Sequence, residues 1–315
     1  MKSLITGAAG QVGQDLASVL LQHGDVVVAT DLHGKPSGIS EAAGLSWSEL
    51  DVCDSEATKR KIAEVSPDRV FHLAAILSAR GEAEPKLTYE VNQSGLYHTL
   101  EACRVAKVGQ LFLASTIAVY GPNLKTPVPE NVELCPTTMY GVTKASGEML
   151  GQYYRLRYGL DFRSIRLPGL ISPVVPGGGS SDYALYMYLD SIKHGHYCCY
   201  CRPETRIPFM YMPDAVRAIV EFASAKSSLL SRSVYNIAAF SPTAREIAES
   251  VKTEIPGASI TFDVDEQRQS ILDSWPRELD DSAARADWGW KPEFDLDTMS
   301  SDLVAMLRTR VATSK

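Results

Sequence analysis

A tyrosine and a lysine lie four residues apart in the segment YGVTK, as Tyr140 and Lys144. Within a helix this spacing places both side chains on one face. A free phenol titrates near pH ~10, so it accepts no substrate proton at neutral pH unless its pKa is lowered. A neighbouring lysine ammonium favours the phenolate and lowers that pKa. The pair therefore predicts a general base that removes a hydroxyl proton.

A hydroxyl that can hold the substrate oxygen lies in the segment LASTIAVYG. Thr116 stands at the end of an apolar run that predicts a strand, and open parallel sheets place their sites at the carboxyl ends of strands. Ser115 directly precedes it, and the sequence leaves open which of the two hydroxyls contacts the substrate. Because Tyr and Lys at helical spacing also occur as plain surface pairs, these residues support the prediction only together.

A third signal is the glycine triplet of TGAAGQVG, in which Gly7, Gly10 and Gly13 separate a strand pattern from a helix pattern. In a dinucleotide-binding turn the first glycine closes the turn, the second admits the pyrophosphate and the third lets the helix pack on the sheet. Asp31 lies eighteen residues beyond Gly13, at the end of the next predicted strand. A carboxylate there accepts hydrogen bonds from ribose hydroxyls and repels a 2′-phosphate, which predicts NAD as the cofactor. The alternative is that Asp31 only caps a helix or holds a turn.

The same cofactor predicts contacts at the ends of the next two strands. Asp51 and Val52 would lie beside the adenine, and the small residues of the LAA segment would pass under the ribose and pyrophosphate. With NAD bound, Tyr140 would take the hydroxyl proton while hydride leaves the same carbon for the nicotinamide ring. The predicted cofactor contacts are Gly7, Gly10, Gln11, Val12, Gly13, Asp31, Asp51, Val52, Leu73, Ala74, Ala75, Tyr140 and Lys144.

The elements that position these residues alternate regularly along the first half of the chain. Short apolar runs are separated by segments with helical spacing, including predicted helices over 86–106 and 138–158. This pattern predicts a doubly wound (Rossmann) α/β fold, with a parallel sheet covered on both faces. After Pro168 the chain becomes rich in Gly, Pro and aromatic residues. We therefore expect an NAD-binding Rossmann domain over 1–168 and a smaller α/β substrate-binding lobe over 169–315, interleaved with the last sheet strands.

The composition argues against several classes of function. The 315 residues carry a formal net charge of −7 without a basic stripe, which disfavours non-specific nucleic-acid binding. No apolar run approaches about twenty residues and no basic segment leads into an apolar one, so neither a membrane span nor a secretory signal is predicted. Six cysteines in so long a chain favour a reducing compartment. The run HGHYCCYC lacks the paired CxxC spacing of zinc sites, and we predict no metal.

Taken together, these motifs resemble those of the extended short-chain dehydrogenase/reductases. The likeness rests on the GxxGxxG triplet, Asp31, the STIAVYG strand, the YxxxK pair and Asn92 in NQSGLYHTLEA, and it spans essentially the whole chain. It implies that Tyr140, Lys144 and Thr116 form the catalytic set, and that Asn92 bends its helix and holds a water of the proton relay. The hydroxyl position is often a serine in that family, so the threonine here is a departure.

The closer resemblance is to the NAD-dependent L-threonine 3-dehydrogenases, and it rests on the segments HLAAILSARGE, RLPGLISPVVPGGGSSDYA, PFMYMPDAVRAI and DSWPRELDDSAARADWGW. It implies oxidation of the secondary hydroxyl of L-threonine to 2-amino-3-ketobutyrate, which loses carbon dioxide or is cleaved with CoA by a lyase. Ser181 and the backbone of residues 177–179 are candidates for binding the substrate carboxylate, although GGGSS can equally act only as a flexible lid. The predicted substrate contacts are Ser78, Ser115, Thr116, Gly178, Ser181 and Asp182.

Two other functions stay open. A nucleotide-sugar epimerase or dehydratase would share the sheet, the cofactor and the Tyr–Lys pair, with Arg202 and Arg206 available for its nucleoside diphosphate. A non-catalytic NAD(H)-sensing protein would use the fold without turnover and would not need that pair. His72, Arg166 and Trp275 are interpreted as structural, with the tail around Trp275 covering the substrate pocket.

The expected partners are the small-molecule substrate and a second copy of the chain. The predicted helices 86–106 and 138–158 carry apolar residues on more than one face, and in related dehydrogenases the corresponding helices form a four-helix interface. We therefore expect a homodimer. We also expect an intracellular protein, placed in the mitochondrial matrix of a eukaryote or otherwise in the cytoplasm, and leave open whether a targeting peptide was removed.

Overall fold

Strands and helices alternate through the computed structural model, which describes residues 1–36, 39, 42–175 and 177–313. The strands are β1 (Lys2–Thr6), β2 (Val26–Asp31), β3 (Leu45–Glu49), β4 (Arg69–His72), β5 (Gln110–Thr116), β6 (Asp161–Leu167), β7 (Gly169–Ile171), β8 (His196–Cys199), β9 (Phe209–Tyr211), β10 (Val234–Asn236) and β11 (Ser259–Phe262). The α-helices are α1 (Gln11–Gln22), α2 (Ser55–Val65), α3 (Ser78–Ala83), α4 (Pro85–Tyr89), α5 (Gly95–Ala106), α6 (Met139–Tyr158), α7 (Tyr183–His194), α8 (Met212–Ser224), α9 (Ala244–Glu254), α10 (Glu266–Asp273), α11 (Ser282–Trp288) and α12 (Leu296–Thr313). None of the helices in the described part of the chain combines the length and the apolar character that a membrane span needs.

Across the described ranges, seven strands form one parallel sheet in the order β10-β6-β5-β4-β1-β2-β3. The chain winds outward from β1 in two directions, through β2 and β3 on one side and through β4, β5 and β6 on the other. The winding reverses between β1 and β4, and open sheets of this kind bind ligands beyond the carboxyl ends of the strands at that point. The predicted doubly wound α/β fold is confirmed.

Alternate residues of the central strands face opposite layers of helices. Ile5, Phe71 and Phe112 belong to an apolar core shared with α1 and α8. Leu4 and Val70 belong to a second core, shared with α2, α5 and α6. Because both faces of the sheet are covered, these strands are apolar at consecutive positions rather than at every second one.

Residues after 168 contribute to this sheet as well as to the smaller lobe. β10 pairs with β6 at one edge of the sheet, and α8 packs beside α1. The elements α7, α9, α10 and α12 surround a third apolar core, together with residues of the parallel pairs β8–β11 and β7–β9. That core includes Ile117 and Tyr120, just beyond the end of β5, and so joins the lobe to the sheet.

The two helices that the sequence predicts beside the site differ in regularity. The predicted helix 138–158 is observed as α6, whose N-cap Thr138 accepts a hydrogen bond from the Gly141 N–H. The predicted helix 86–106 is observed as α4 and α5, joined by a π-helical turn over Glu90–Ser94 in which Asn92 is buried. Such π turns are rare inside helices and are frequent at functional sites.

Candidate active site

A cavity of about 590 Å³ lies at the carboxyl ends of the central strands, where the glycine loop, α6 and the loop 177–182 meet. The sequence-predicted residues that line it are Gly7, Gly10, Gln11, Val12, Gly13, Asp31, Asp51, Val52, Leu73, Ala74, Ala75, Ser78, Ser115, Thr116, Tyr140, Lys144, Ser181 and Asp182. The structure therefore brings the predicted cofactor, catalytic and loop residues to one site. Asn92 and Gly178 do not form part of its wall.

The glycine loop is packed so closely that side chains would not fit at its first and third glycines. Gly7 has a φ of +70°, and a Cβ there would lie 2.5 Å from the Ala74 nitrogen. A Cβ on Gly13 would lie 2.6 Å from the Ala8 Cα. Gly10 is the N-cap of α1, so the positive end of this helix meets the cavity without a capping side chain. This cradle fits the pyrophosphate of a dinucleotide.

Asp31 is held at the cavity wall by two backbone hydrogen bonds. Its Oδ2 accepts from the Ala9 N–H at 2.9 Å, and its Oδ1 accepts from the Leu32 N–H at 2.8 Å. The carboxylate thus supports the turn after β2 and ties it to the glycine loop. It also faces the cavity, where ribose hydroxyls would lie if the cradle held a dinucleotide.

Tyr140 and Lys144 lie one turn apart on α6, beside the end of β5. The Lys144 Nζ donates to the Ala114 carbonyl at 2.7 Å and lies 5.8 Å from the centroid of the Tyr140 ring. Burial raises the pKa of Tyr140 to about 12, and a hydrogen bond with Thr116 opposes the rise. Burial lowers the pKa of Lys144 to about 8, against the attraction of the Glu148 carboxylate. At pH 7 the protein alone holds a neutral phenol beside a protonated lysine.

The two candidate hydroxyls of β5 have different partners. The Thr116 side chain lies close enough to Tyr140 to oppose the rise in the pKa of that phenol, and its Oγ1 accepts from the Ala118 N–H at 3.2 Å. The Ser115 hydroxyl donates to the Glu148 Oε1 at 2.5 Å. The geometry favours Thr116 as the hydroxyl that shares a substrate oxygen with Tyr140.

Asn92 ties the π turn to the catalytic helix and to the segment after β4. Its Oδ1 accepts from the Ile76 N–H at 2.8 Å, and its Nδ2 donates to the Ile76 carbonyl at 3.1 Å and to the Thr143 Oγ1 at 3.2 Å. Thr143 directly precedes Lys144. The carboxamide therefore supports the candidate catalytic residues from behind the cavity wall.

The loop between β7 and α7 is anchored by polar contacts, and Pro176 of its PGGGSSDY motif lies outside the described residues. The Ser78 Oγ accepts from the Ser180 N–H at 3.1 Å and lies 3.2 Å from the Ser180 Oγ. The Asp182 Oδ2 accepts from the Gly179 N–H at 2.7 Å. Burial raises the pKa of Asp182 to about 6, although hydrogen bonds from the Gly179 and Gly178 backbone oppose the rise. Gly178 itself has a φ of +92° and shapes the loop.

The residues interpreted as structural from the sequence are all buried around the site. His72 lies with its Nδ1 3.0 Å from the Thr6 Oγ1, and burial lowers its pKa to about 3, so it provides no base at neutral pH. Trp275 lines the cavity, and its indole N–H is buried without a hydrogen-bond partner among the described residues. Arg166 forms an ion pair with Glu148. Sequence reasoning did not single out Glu148, although its position one turn after Lys144 was a usable signal.

Comparisons with known proteins agree with this arrangement. The NAD dependent epimerase/dehydratase family matches residues 3–238. The mitochondrial L-threonine 3-dehydrogenase of Bos taurus is 40% identical over 306 residues, which cover 96% of this chain and 81% of that protein. The crystal structure of an L-threonine dehydrogenase from Clostridium difficile superposes with a TM-score of 0.93 at 38% identity, over 98% of both chains. A structure described as a monomeric L-threonine 3-dehydrogenase from a metagenome gives a TM-score of 0.92 at 38% identity, over 98% of this chain and 99% of that one.

The resemblance that the motifs indicated is thereby confirmed, and it extends over nearly the full length of the chain. The matched region contains the glycine cradle, the Tyr140–Lys144 pair and all seven strands of the main sheet that the described residues form. The chain belongs to the NAD dependent epimerase/dehydratase family.

Proposed function

We propose that this protein is an NAD-dependent L-threonine 3-dehydrogenase, which oxidises the 3-hydroxyl of L-threonine to give 2-amino-3-ketobutyrate. The observation that carries the proposal is the single cavity that joins the glycine cradle and Asp31 to Thr116, Tyr140 and Lys144. Full-length similarity to proteins named L-threonine 3-dehydrogenase supports the same substrate.

The cofactor would lie along the cavity from the glycine cradle to Lys144. The N-terminus of α1 would bind the pyrophosphate, and Asp31 would accept hydrogen bonds from the adenosine ribose. The same carboxylate would repel a 2′-phosphate, so we assign NAD rather than NADP. Bound NAD would supply the acceptor for the hydride from C3 of the substrate and a positive charge in the site.

The residues of α6 and β5 would move the proton. Thr116 would position the substrate hydroxyl by a hydrogen bond, and Tyr140 would remove its proton through the phenolate oxygen. Because the protein alone raises the pKa of Tyr140 to about 12, the tyrosine depends on neighbouring positive charge to act near neutral pH. Lys144 supplies such a charge from the same helix face. Asn92, Tyr140, Lys144 and Thr116 are therefore the residues to which we assign the reaction, with Asn92 acting through its support of α6.

The loop 177–182 would bind the amino-acid end of the substrate. Ser181 would bind the carboxylate, with Ser78 fixing the loop through Ser180. Of the backbone N–H groups of 177–179 that the sequence offers, that of Gly179 already donates to Asp182 and Gly178 lies outside the cavity wall, which leaves Gly177. Asp182 lines the same cavity and offers the opposite charge to the substrate ammonium. By closing over the substrate, the loop 177–182 would also exclude water from the hydride transfer.

The nucleotide-sugar alternative would need cationic side chains in the cavity for a diphosphate. Arg202 instead pairs with Asp273, and Arg206 pairs with Glu246. Neither of these arginines lines the cavity, and Arg80, which does, forms an ion pair with Glu84. A non-catalytic NAD(H) sensor would not require Tyr140 to meet Thr116. Both observations favour the dehydrogenase.

We further propose that two copies of the chain associate through α5 and α6. Apolar side chains are exposed along these helices, at Tyr97, Val105, Val142, Met149, Tyr153, Leu156 and Tyr158. A symmetric four-helix interface would cover them. Because a similar protein is described as monomeric, sedimentation at micromolar concentration is the direct test, and a purely monomeric profile would contradict this proposal. For the compartment, we propose the mitochondrial matrix of a eukaryote or otherwise the cytoplasm.

The experiment that tests the function is a cofactor-reduction assay. Purified protein is mixed with NAD, and the absorbance of reduced nicotinamide is followed after addition of L-threonine. L-serine, D-threonine, L-allo-threonine and UDP-sugars are assayed in parallel. A rate with L-threonine alone establishes the dehydrogenase, whereas no rate with any amino acid and tight binding of a UDP-sugar would replace it by the epimerase.

A further inference from the structure

The proposed reaction needs a positively charged lysine in a buried position. Lys144 is 4% exposed, and burial lowers its pKa to about 8. A buried ammonium without a counter-charge tends to lose its proton instead of staying charged in a medium of low dielectric constant. With Lys144 neutral, the Tyr140 phenol would keep its own proton at neutral pH. The protein must therefore supply a group that keeps the lysine charged.

The titratable groups that face Lys144 come from α6, β4 and β6. His72 on β4 is neutral, because burial lowers its pKa to about 3. Tyr140, one turn earlier on α6, is a neutral phenol. Glu148, one turn later on α6, carries the opposite charge and raises the pKa of the lysine. Arg166 on β6 is bound to that same carboxylate.

Hydrogen bonds from Arg166 and Ser115 fix the Glu148 carboxylate against the sheet. Arg166 donates to it through two nitrogens, from Nε to Oε1 at 3.0 Å and from Nη2 to Oε2 at 2.7 Å. Ser115 donates to Oε1 from β5. The remaining Arg166 nitrogen, Nη1, donates to the Tyr120 hydroxyl at 2.7 Å and to the Glu130 carbonyl at 3.2 Å. The carboxylate, 1% exposed, is thus held in one place by charge-assisted hydrogen bonds.

Stability alone is a weak reason for such an arrangement. Replacing a buried ion pair by neutral side chains is often harmless to folding, because burial removes the water that stabilises both charges. The spacing offers a better reason, since Tyr140, Lys144 and Glu148 recur every four residues and share one face of α6. We propose that Glu148 is a positioning residue for the reaction: clamped by Arg166 and Ser115, its carboxylate keeps Lys144 protonated beside Tyr140. This inference rests on the proposed function.

The first test replaces Glu148 by Gln, which keeps the size and removes the charge. We expect kcat/KM for threonine, at saturating NAD and pH 7, to fall by about tenfold or more. We also expect the midpoint of the rising limb of its pH profile to move upward by about one unit or more, because a neutral lysine leaves the Tyr140 pKa high. The Kd for NAD should change less than about threefold. An active variant whose midpoint is unshifted would overturn the proposal.

The matched control is Asp161→Asn. Asp161 pairs with buried Arg163 on the same strand, at the end far from the cavity. Removing this carboxylate should lower the melting temperature and leave the midpoint of the pH profile where it is in the wild type. An equal shift in the control would mean that the profile reports general loss of packing, and would overturn the assignment to Glu148.

A double variant distinguishes the loss of the Glu148 carboxylate from the effect of leaving the Arg166 charge unpaired. In Glu148→Gln/Arg166→Met neither partner is left as an uncompensated buried charge, so folding is expected to be retained. The upward shift of the midpoint should persist, since Lys144 still lacks its counter-charge. A midpoint restored to the wild-type value would assign the effect to unpaired Arg166 and refute the proposal.

A third measurement needs neither substrate nor cofactor. Urea unfolding of the wild type, Glu148→Gln, Lys144→Met and the double variant gives the coupling between the two side chains. Since the Lys144 pKa is about 8 in the folded protein, the lysine is charged at about pH 6.5 and neutral at about pH 9.5. The coupling should be favourable at the lower pH and at most about half as large at the higher pH. Equal or zero coupling at both would contradict the inference, whereas a wild type inactive on threonine would contradict only the proposed function.

Discussion

Replacing Asp31 by Asn tests how the protein selects its cofactor. The substitution keeps the shape of the side chain, and one oxygen remains to accept from the Ala9 N–H or the Leu32 N–H. It removes the negative charge that faces the cavity. We expect weaker binding of NAD, and we expect NADP, with its 2′-phosphate, to be admitted.

The size of the change follows from the two interactions that are lost. A hydrogen bond to a charged group contributes about 1.5–3 kcal/mol, so the Kd for NAD should rise by about 10- to 100-fold. Two unit charges about 5 Å apart repel by about 3 kcal/mol at an effective dielectric constant of about 20. Because Asp31 is only half-buried, solvent screening leaves about 1–2 kcal/mol of this repulsion to be relieved for NADP. The preference for NAD over NADP should therefore fall by about 100-fold or more.

Calorimetric titration of the substrate-free protein with each dinucleotide measures this preference directly. Asp51→Asn is the matched control, because Asp51 is a second carboxylate at the cavity wall, one strand further along the sheet. That control should change the two affinities by a similar factor. An unaltered ratio of the NAD and NADP affinities in Asp31→Asn would refute the role of the carboxylate.

Three further substitutions test the rest of the site. Tyr140→Phe should reduce turnover by about 10²- to 10⁴-fold with the NAD affinity nearly unchanged, and wild-type rates in that variant would exclude Tyr140 as the base. Asp182→Asn should raise the KM for threonine by about tenfold or more, because a charge partner of the ammonium is lost. Since burial raises the pKa of Asp182 to about 6, the wild type should lose stability as pH rises through about 4 to 6, and melting curves of the variant should lack that part of the loss. Trp275→Phe removes a buried indole N–H without a partner among the described residues, which offsets part of the packing lost with the larger ring, so the melting temperature should fall only slightly. Because Trp275 lines the cavity, the KM for threonine should rise; an unchanged KM would remove Trp275 from the substrate site.

The sheet could be predicted from the sequence because its strands and helices alternate locally. The alternation of strand and helix patterns from β1 to β6 is visible in the sequence, and both cores of the sheet draw on consecutive apolar residues of β1, β2, β4 and β5. The position of β10 at the edge of the sheet, by contrast, could not be predicted from the local sequence pattern. It is a three-residue strand whose partner β6 precedes it by almost seventy residues, and short apolar runs do not encode which edge they will join. The packing of α8 on α1 is likewise a long-range contact.

In the site, too, local sequence motifs could be predicted, whereas features that depend on long-range contacts could not. The spacing of Tyr140 and Lys144 and the glycine triplet are local patterns, and the structure brings both to one cavity. The π turn around Asn92 follows a helical pattern that continues smoothly through 86–106, so periodicity alone does not locate it. The sequence also left Ser115 and Thr116 as equal candidates. Their different partners in the structure separate them, because Ser115 donates to Glu148 and Thr116 lies beside Tyr140.

The separation of these two hydroxyls follows from the meeting of one strand with one helix. Residues four apart on α6 project to the same side of the helix, which packs against β5. Thr116 lies beside Tyr140 at the start of α6, while Ser115 donates to Glu148 two turns further along. Lys144 lies between these contacts and donates to the carbonyl of Ala114, the preceding residue of the same strand. One helix face and three consecutive strand residues thus hold both the proposed proton acceptor and the charges proposed to act on it.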